Sequence, residues 1–118
     1  MTFERFDVVK VPFPFTDKQA AKTRPALVIS DESFNVSVGQ SVMAMITSAK
    51  SSTWLFDTDI TDLTVAGLPV PCFIRMKLFT IDNQLVINKL GRLSQRDSVE
   101  FEKNFGMLQG TNKNNSTC

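Results

Sequence analysis

Three short segments of the chain carry side chains whose types and spacing can do chemistry. The first, Thr16 to Pro25, gathers Lys18, Lys22 and Arg24 with Thr16, Gln19 and Thr23. Three cations and several neutral hydrogen-bonding groups on one loop suit contacts to phosphate. Arg24 stands out among them. Pro25 biases it towards extended geometry, where loop becomes strand, so its guanidinium is delivered from a fixed base. The same residues also fit a plain basic surface loop that ends in a strand-initiating proline. The second segment is Ile46-Thr47-Ser48, two hydroxyls at the exit of an apolar strand. They can bond a phosphate oxygen or a ribose hydroxyl, and they can equally cap a turn. The third is Phe73-Ile74-Arg75-Met76-Lys77. In a strand Phe73, Arg75 and Lys77 share one face and Ile74, Met76 and Leu78 the other. Such a face is ordinarily the solvated one, and becomes a basic groove if the sheet curls around it.

Other chemistries find little support. The chain has no histidine and no tyrosine, so acid–base work near neutral pH must do without imidazole. There is no CxxC pair, no His/Cys/carboxylate cluster at metal-ligand spacing and no phosphate-cradling glycine motif, so no metal and no cofactor is expected. Asp57, Asp59 and Asp62 lack the glycine and closing glutamate of a calcium loop and read as a solvated edge. Trp54 and the ten Phe read as core, with the alternative that one or two of them stack a base at the rim, and nothing in the sequence picks out which. The two cysteines, Cys72 and Cys118, do not make a disulfide framework and suggest a reducing compartment. The N-terminal MTFERFDVVKVPFPF has no long apolar stretch of the signal-peptide kind, and no apolar run reaches membrane-span length. The expectation is a cytoplasmic protein that does not enter the membrane.

The elements that must position these residues follow from period and punctuation. At 118 residues and 42% hydrophobic, the chain can bury one core. Residues 6–15, 24–30, 40–47, 53–60, 73–81 and 84–90 read as six strands, with Pro12 and Pro14 pushing the end of the first to an edge. Residues 31–39 read as a connection, 61–71 as a loop, and Asp82-Asn83 as the tight turn between the last two strands. On the third strand Val42, Ala44 and Ile46 take one face, Met43 and Met45 the other. Ser94 reads as an N-cap with Asp97 in a capping box, opening a helix from Gln95 to about Gln109 with Phe101, Phe105 and Leu108 on one stripe. The pattern is mainly β, a small bent sheet or barrel closed by a C-terminal helix, forming one domain over residues 1–109 with a polar tail at 110–118. The net charge of +1 does not announce a nucleic-acid binder. A basic surface must come from local arrangement, or from two chains pooling their cations.

Two blocks of sequence, FDVVKVPFPFTD from Phe6 and TRPALVIS from Thr23, resemble the opening of MazF/PemK-type toxins. Ile46-Thr47-Ser48 resembles that family's second signature. Ile74-Arg75 and the run Asn88 to Ser94 resemble its later strands and the entry to its last helix. The resemblance spans about residues 4–109. It implies an SH3-like small barrel of the MazF/PemK/CcdB type with a C-terminal α-helix, acting as a homodimer on single-stranded RNA, often mRNA, and inactivated by a small acidic antitoxin. It puts the catalytic arginine at Arg24 and the catalytic threonine at Thr47. It assigns RNA contacts to Ser48 and Arg75, beside Thr16, Lys18, Gln19, Lys22 and Lys77 from the residue pattern. The reaction implied is metal-independent transesterification by the ribose 2′-hydroxyl. This sequence departs from the family at Phe6, where a glycine is usual, at Lys18-Gln19, where some members have histidine and glutamate, and at Lys77, where one has an acid. The alternative is a non-cleaving relative, either a CcdB-like gyrase poison or a degenerate toxin that only binds its antitoxin.

Overall fold

A computed structural model of the chain describes residues 2–13, 22–48 and 52–110. The strands are β1 (Asp7–Phe13), β2 (Lys22–Val28), β3 (Gln40–Ser48), β4 (Thr58–Asp59), β5 (Cys72–Asp82) and β6 (Asn88–Arg92). The helices are α1 (Glu32–Val38), α2 (Leu63–Ala66) and α3 (Gln95–Gln109), with a 3₁₀ turn at Asn83–Leu85. The strands form one antiparallel sheet in the order β4-β5-β3-β2-β1-β6. The protein is mainly β, a curled six-stranded half-barrel with a C-terminal helix.

Both faces of the sheet are apolar, which is why its central strands read as near-continuous hydrophobic runs. Val8, Leu27, Ala44, Ile46 and Ile74 face one core, which Phe101 of α3 closes. Val9, Val11, Ala26, Val28, Met43 and Ile81 face a second, which Phe3 and Val86 complete. The alternation expected for β3 therefore holds, with Ala44 and Ile46 in one core and Met43 in the other.

The sheet curls until its two edges nearly meet. β4 and β6 are the edge strands, yet α2, which follows β4, packs against β6. The approach is so close that only glycine fits on either side. A Cβ on Gly91 would lie 2.5 Å from the Val65 carbonyl oxygen, and one on Gly67 would run into the Leu90 carbonyl. Gly67 also caps α2 with φ 73°, a left-handed conformation that suits glycine.

Several expected elements differ. Residues 31–39 contain α1, capped by Asp31, whose carboxylate accepts from the Ser33 amide at 2.9 Å, and by left-handed Gly39. The alternation of Phe34, Val36 and Val38 imitates a strand, and these side chains are largely exposed on the helix. What α1 buries is Asn35, whose side-chain amide donates to the Phe3 and Ser30 carbonyls at 2.9 and 3.1 Å. The expected strand 53–60 shrinks to Thr58–Asp59, because a turn at Leu55-Phe56 precedes it. The expected loop 61–71 contains α2. The turn at Asp82-Asn83 does not make a hairpin: β6 starts at Asn88 and pairs with β1, not with β5. Ser94 caps α3 as expected, accepting from the Asp97 amide at 3.1 Å. The Asp97 carboxylate does not take the Ser94 backbone amide, as a full capping box would. It accepts from the Thr61 amide and hydroxyl and from the Asp62 amide, tying the start of α3 to the segment between β4 and α2.

Candidate active site

The β2–β3 ladder pairs Val28 with Met43, Leu27 with Ala44 and Ala26 with Met45. Carried two residues further, this register sets Arg24 level with Thr47. The ladder stops beside Pro25, which has no N–H to donate. Thr47 pairs on its other side with Phe73 of β5, and Phe73 in turn with Asp59 of β4. Thr47, Phe73 and Asp59 thus form one row across three paired strands, about 5 Å apart, and the register continued from Ala26–Met45 puts Arg24 at its β2 end. Strand alternation puts Arg24, Thr47 and Phe73 on the face of the second core, away from α3, while Asp59 on the edge strand also borders a cleft beside α3.

The same alternation adds Lys22 to Arg24 on β2, and Arg75 and Lys77 to Phe73 on β5. Lys22, Arg24 and Lys77 are exposed and Thr47 is half-buried. The Arg24 guanidinium lies over the Phe13 ring, 5.3 Å from its centroid, so an aromatic wall supports it on the β1 side. Ser48 alternates to the opposite face, level with Cys72 of the α3-side core, and is exposed at the end of β3. Thr16, Lys18 and Gln19 lie outside the described residues.

Arg75 is not on a solvated face. It is buried, and its guanidinium donates to both oxygens of Asp57, at 3.3 Å from Nε and 3.1 Å from Nη2, and to the Ser52 carbonyl. The cation also lies over two rings, 4.6 Å from the Trp54 centroid and 4.8 Å from that of Phe73. A register shift between Ala44 and Ile46 sets Met45 against the bulged segment that carries Arg75 and Lys77. Asp57 is therefore half of an ion pair and not part of a solvated edge, and Trp54 is a half-exposed surface residue and not core. No local signal in the sequence joins Asp57 to Arg75, because their meeting depends on the loop between β3 and β4.

The surface elsewhere suits a polyanion less well. A cleft of about 330 Å³ between β4 and α3 is lined by Asp57, Asp59, Asp97 and Glu100 with Arg96. Burial there pushes the Asp97 carboxyl up. Its hydrogen bonds from Thr61, Asp62 and Ser94 outweigh that and hold it below the ordinary carboxylate value. Among the described residues, no three His, Cys, Asp or Glu side chains converge as metal ligands would. At the row's cationic end an exposed guanidinium stands level with a half-buried hydroxyl, groups of the kind that can contact a phosphate.

The family model of the PemK-like, MazF-like toxins of type II toxin–antitoxin systems matches residues 4–106. No curated protein matches the chain. Among solved structures, an endoribonuclease in complex with its cognate antitoxin from a mycobacterial species superposes with TM-score 0.73 at 11% identity, covering 96% of this chain and 98% of that one. The MazE–MazF complex of Deinococcus radiodurans gives 0.72 at 17% identity, covering 93% and 97%. The Mycobacterium tuberculosis toxin MazF-mt6 gives 0.72 at 16%, covering 91% and 99%. At these identities the likeness is one of fold.

Proposed function

The chain belongs to the PemK-like, MazF-like toxins of type II toxin–antitoxin systems, and from that premise we propose that it is an endoribonuclease that cuts single-stranded RNA, including mRNA, without a metal. What supports this best is the β2–β3 register, which, continued past Ala26–Met45, sets Arg24 level with Thr47 on a face that also carries Lys22 and Lys77.

In the reaction, the ribose 2′-hydroxyl attacks its own phosphorus and the bond to the 5′-oxygen breaks. The nucleophile is already attached to the substrate, so neither water nor metal is needed in this step. Negative charge grows on the phosphoryl oxygens, and the planar fork of Arg24 meets two of them. Thr47 holds a phosphoryl oxygen or the attacking hydroxyl. Arginine keeps its proton at any working pH, so Arg24 acts by electrostatic stabilisation. Lys22 and Lys77 on the same face hold flanking phosphates, with Thr16, Lys18 and Gln19 contributing from the β1–β2 loop and Ser48 from the rim. Arg75, neutralised by Asp57, serves the site through the groups it holds in place.

One chain offers few cations, so a homodimer that pools two such faces completes the groove. The partner is a small acidic antitoxin, in keeping with the antitoxin complexes among the structural neighbours. No helix among the described residues is long and apolar enough to cross a membrane, and the cytoplasm, where mRNA is found, is the proposed compartment.

Incubating the pure protein with a long RNA and EDTA tests this. Discrete fragments bearing 5′-hydroxyl and 2′,3′-cyclic phosphate ends are expected. Intact RNA, or fragments with 5′-phosphates, would overturn the proposal.

A further inference from the structure

We propose that Trp54 is a base-stacking platform for the nucleotide next to the scissile phosphate, held out of the core by the Arg75–Asp57 pair. This rests on the ribonuclease reading and adds to it a subsite.

Large aromatic side chains are expensive to leave in water, yet Trp54 is 46% exposed and its neighbour Leu55 78% exposed. The turn that presents them is tightly specified. The Trp54 amide donates to the Asp57 carboxylate at 2.7 Å, and the Asp57 amide donates back to the Trp54 carbonyl at 3.2 Å. Phe56 between them has φ 71°, a strained conformation for an aromatic residue that persists only where surrounding contacts enforce it. Those contacts come from Arg75, which grips the Asp57 carboxylate and the Ser52 carbonyl. Strain and exposed apolar surface in one clamped turn mark a binding loop.

The position says what it binds. Arg75 touches both the Trp54 and Phe73 rings, and Phe73 is level with Thr47. Two side-chain contacts thus link the indole to Phe73, the strand partner of Thr47. Its occupant must suit a π face on the side of the sheet that carries the cations Arg24, Lys22 and Lys77. A nucleobase carried on a polyanion meets both requirements, and stacking on an aromatic face tolerates any base. Asp59, next in the row beyond Phe73, marks where the cationic face ends.

Trp54 is the only tryptophan in the chain, so intrinsic emission reports this residue alone. Wild-type protein is titrated with a 2′-O-methyl oligonucleotide of the mapped cut sequence, which binds and cannot react. Emission should be quenched with the same midpoint as binding followed by anisotropy of a labelled oligonucleotide. An abasic nucleotide beside the cut site should remove the quench. In cleavage assays Trp54→Ala should raise KM roughly ten- to hundredfold with kcat nearly unchanged, and Trp54→Phe should restore most of the loss. Binding by anisotropy without quenching, or a Trp54→Ala enzyme with wild-type KM, would overturn the stacking subsite and leave the ribonuclease reading standing. Quenching by an acidic peptide but not by RNA would also overturn it, making the loop a peptide-docking surface. Absence of any cleavage by the wild type would overturn both.

Discussion

Ala26 of β2 and Met45 of β3 are paired, and that pairing sets Arg24 and Thr47, each two residues further on, side by side on one face of the sheet. The two groups come from segments separated by a helix, α1, and antiparallel register brings them level. A slip of one residue would turn one of them to the opposite face. The core on that face, with Ala26, Val28 and Met43 fully buried, is what opposes such a slip.

The fork of Arg24 is the property the chemistry requires, beyond its charge. Arg24→Lys keeps the cation and loses the bidentate geometry. Single-turnover cleavage is expected to fall by roughly a hundredfold, while RNA affinity and its salt dependence change little. A lysine variant that cuts at the wild-type rate would show that positive charge alone suffices.

Asp97 links α3 to the β4–α2 segment, and its folded carboxyl lies below its ordinary value despite burial, because Thr61, Asp62 and Ser94 supply hydrogen bonds. A carboxyl depressed on folding leaves the unfolded state binding more protons, so its stabilisation is complete above the unfolded value of about 4. That stabilisation is lost as pH falls from there through the folded value. Asp97→Ala orphans the Thr61 and Asp62 donors and is expected to cost about 1–3 kcal/mol at neutral pH. Urea unfolding at a series of pH values checks both points: the difference between wild type and variant should narrow below about pH 4.

Gly67 carries the contact that curls the sheet. With φ 73° and the Leu90 carbonyl where a Cβ would stand, Gly67→Ala must both strain its backbone and push α2 away from β6. A loss of about 2 kcal/mol or more is expected in thermal or urea unfolding. Gly39→Ala provides the comparison, because Gly39 shares the left-handed conformation but has open space around its Cα. Its loss should be the smaller of the two.

The sequence made much of this legible, and the failures have physical causes. β1, β2, β3, β5 and α3 were readable because each buries a face large enough to impose its period over many residues. α1 was not, because what it buries is the polar side chain of Asn35, while its apolar residues face out at a spacing that imitates a strand. β4 is two residues long and carries no period at all. At the proposed site, Pro25 drew attention to Arg24, but only the resemblance to the family's signatures, and not the local pattern, assigned roles to Arg24 and Thr47. The Arg75–Asp57 pair was hidden, since alternation placed Arg75 on a solvated face and only the path of the chain from β3 to β4 brings Asp57 over it.

Arg24 and Thr47 are proposed to serve one transition state, and a double-mutant cycle on single-turnover cleavage measures that directly. Arg24→Ala is expected to lose roughly a hundred- to thousandfold, and Thr47→Ala a similar factor. The double variant should be little worse than the slower single, because groups acting on one reacting phosphate do not contribute independently. Cleavage at the wild-type rate by Arg24→Ala, or losses that multiply in full, would contradict that proposal.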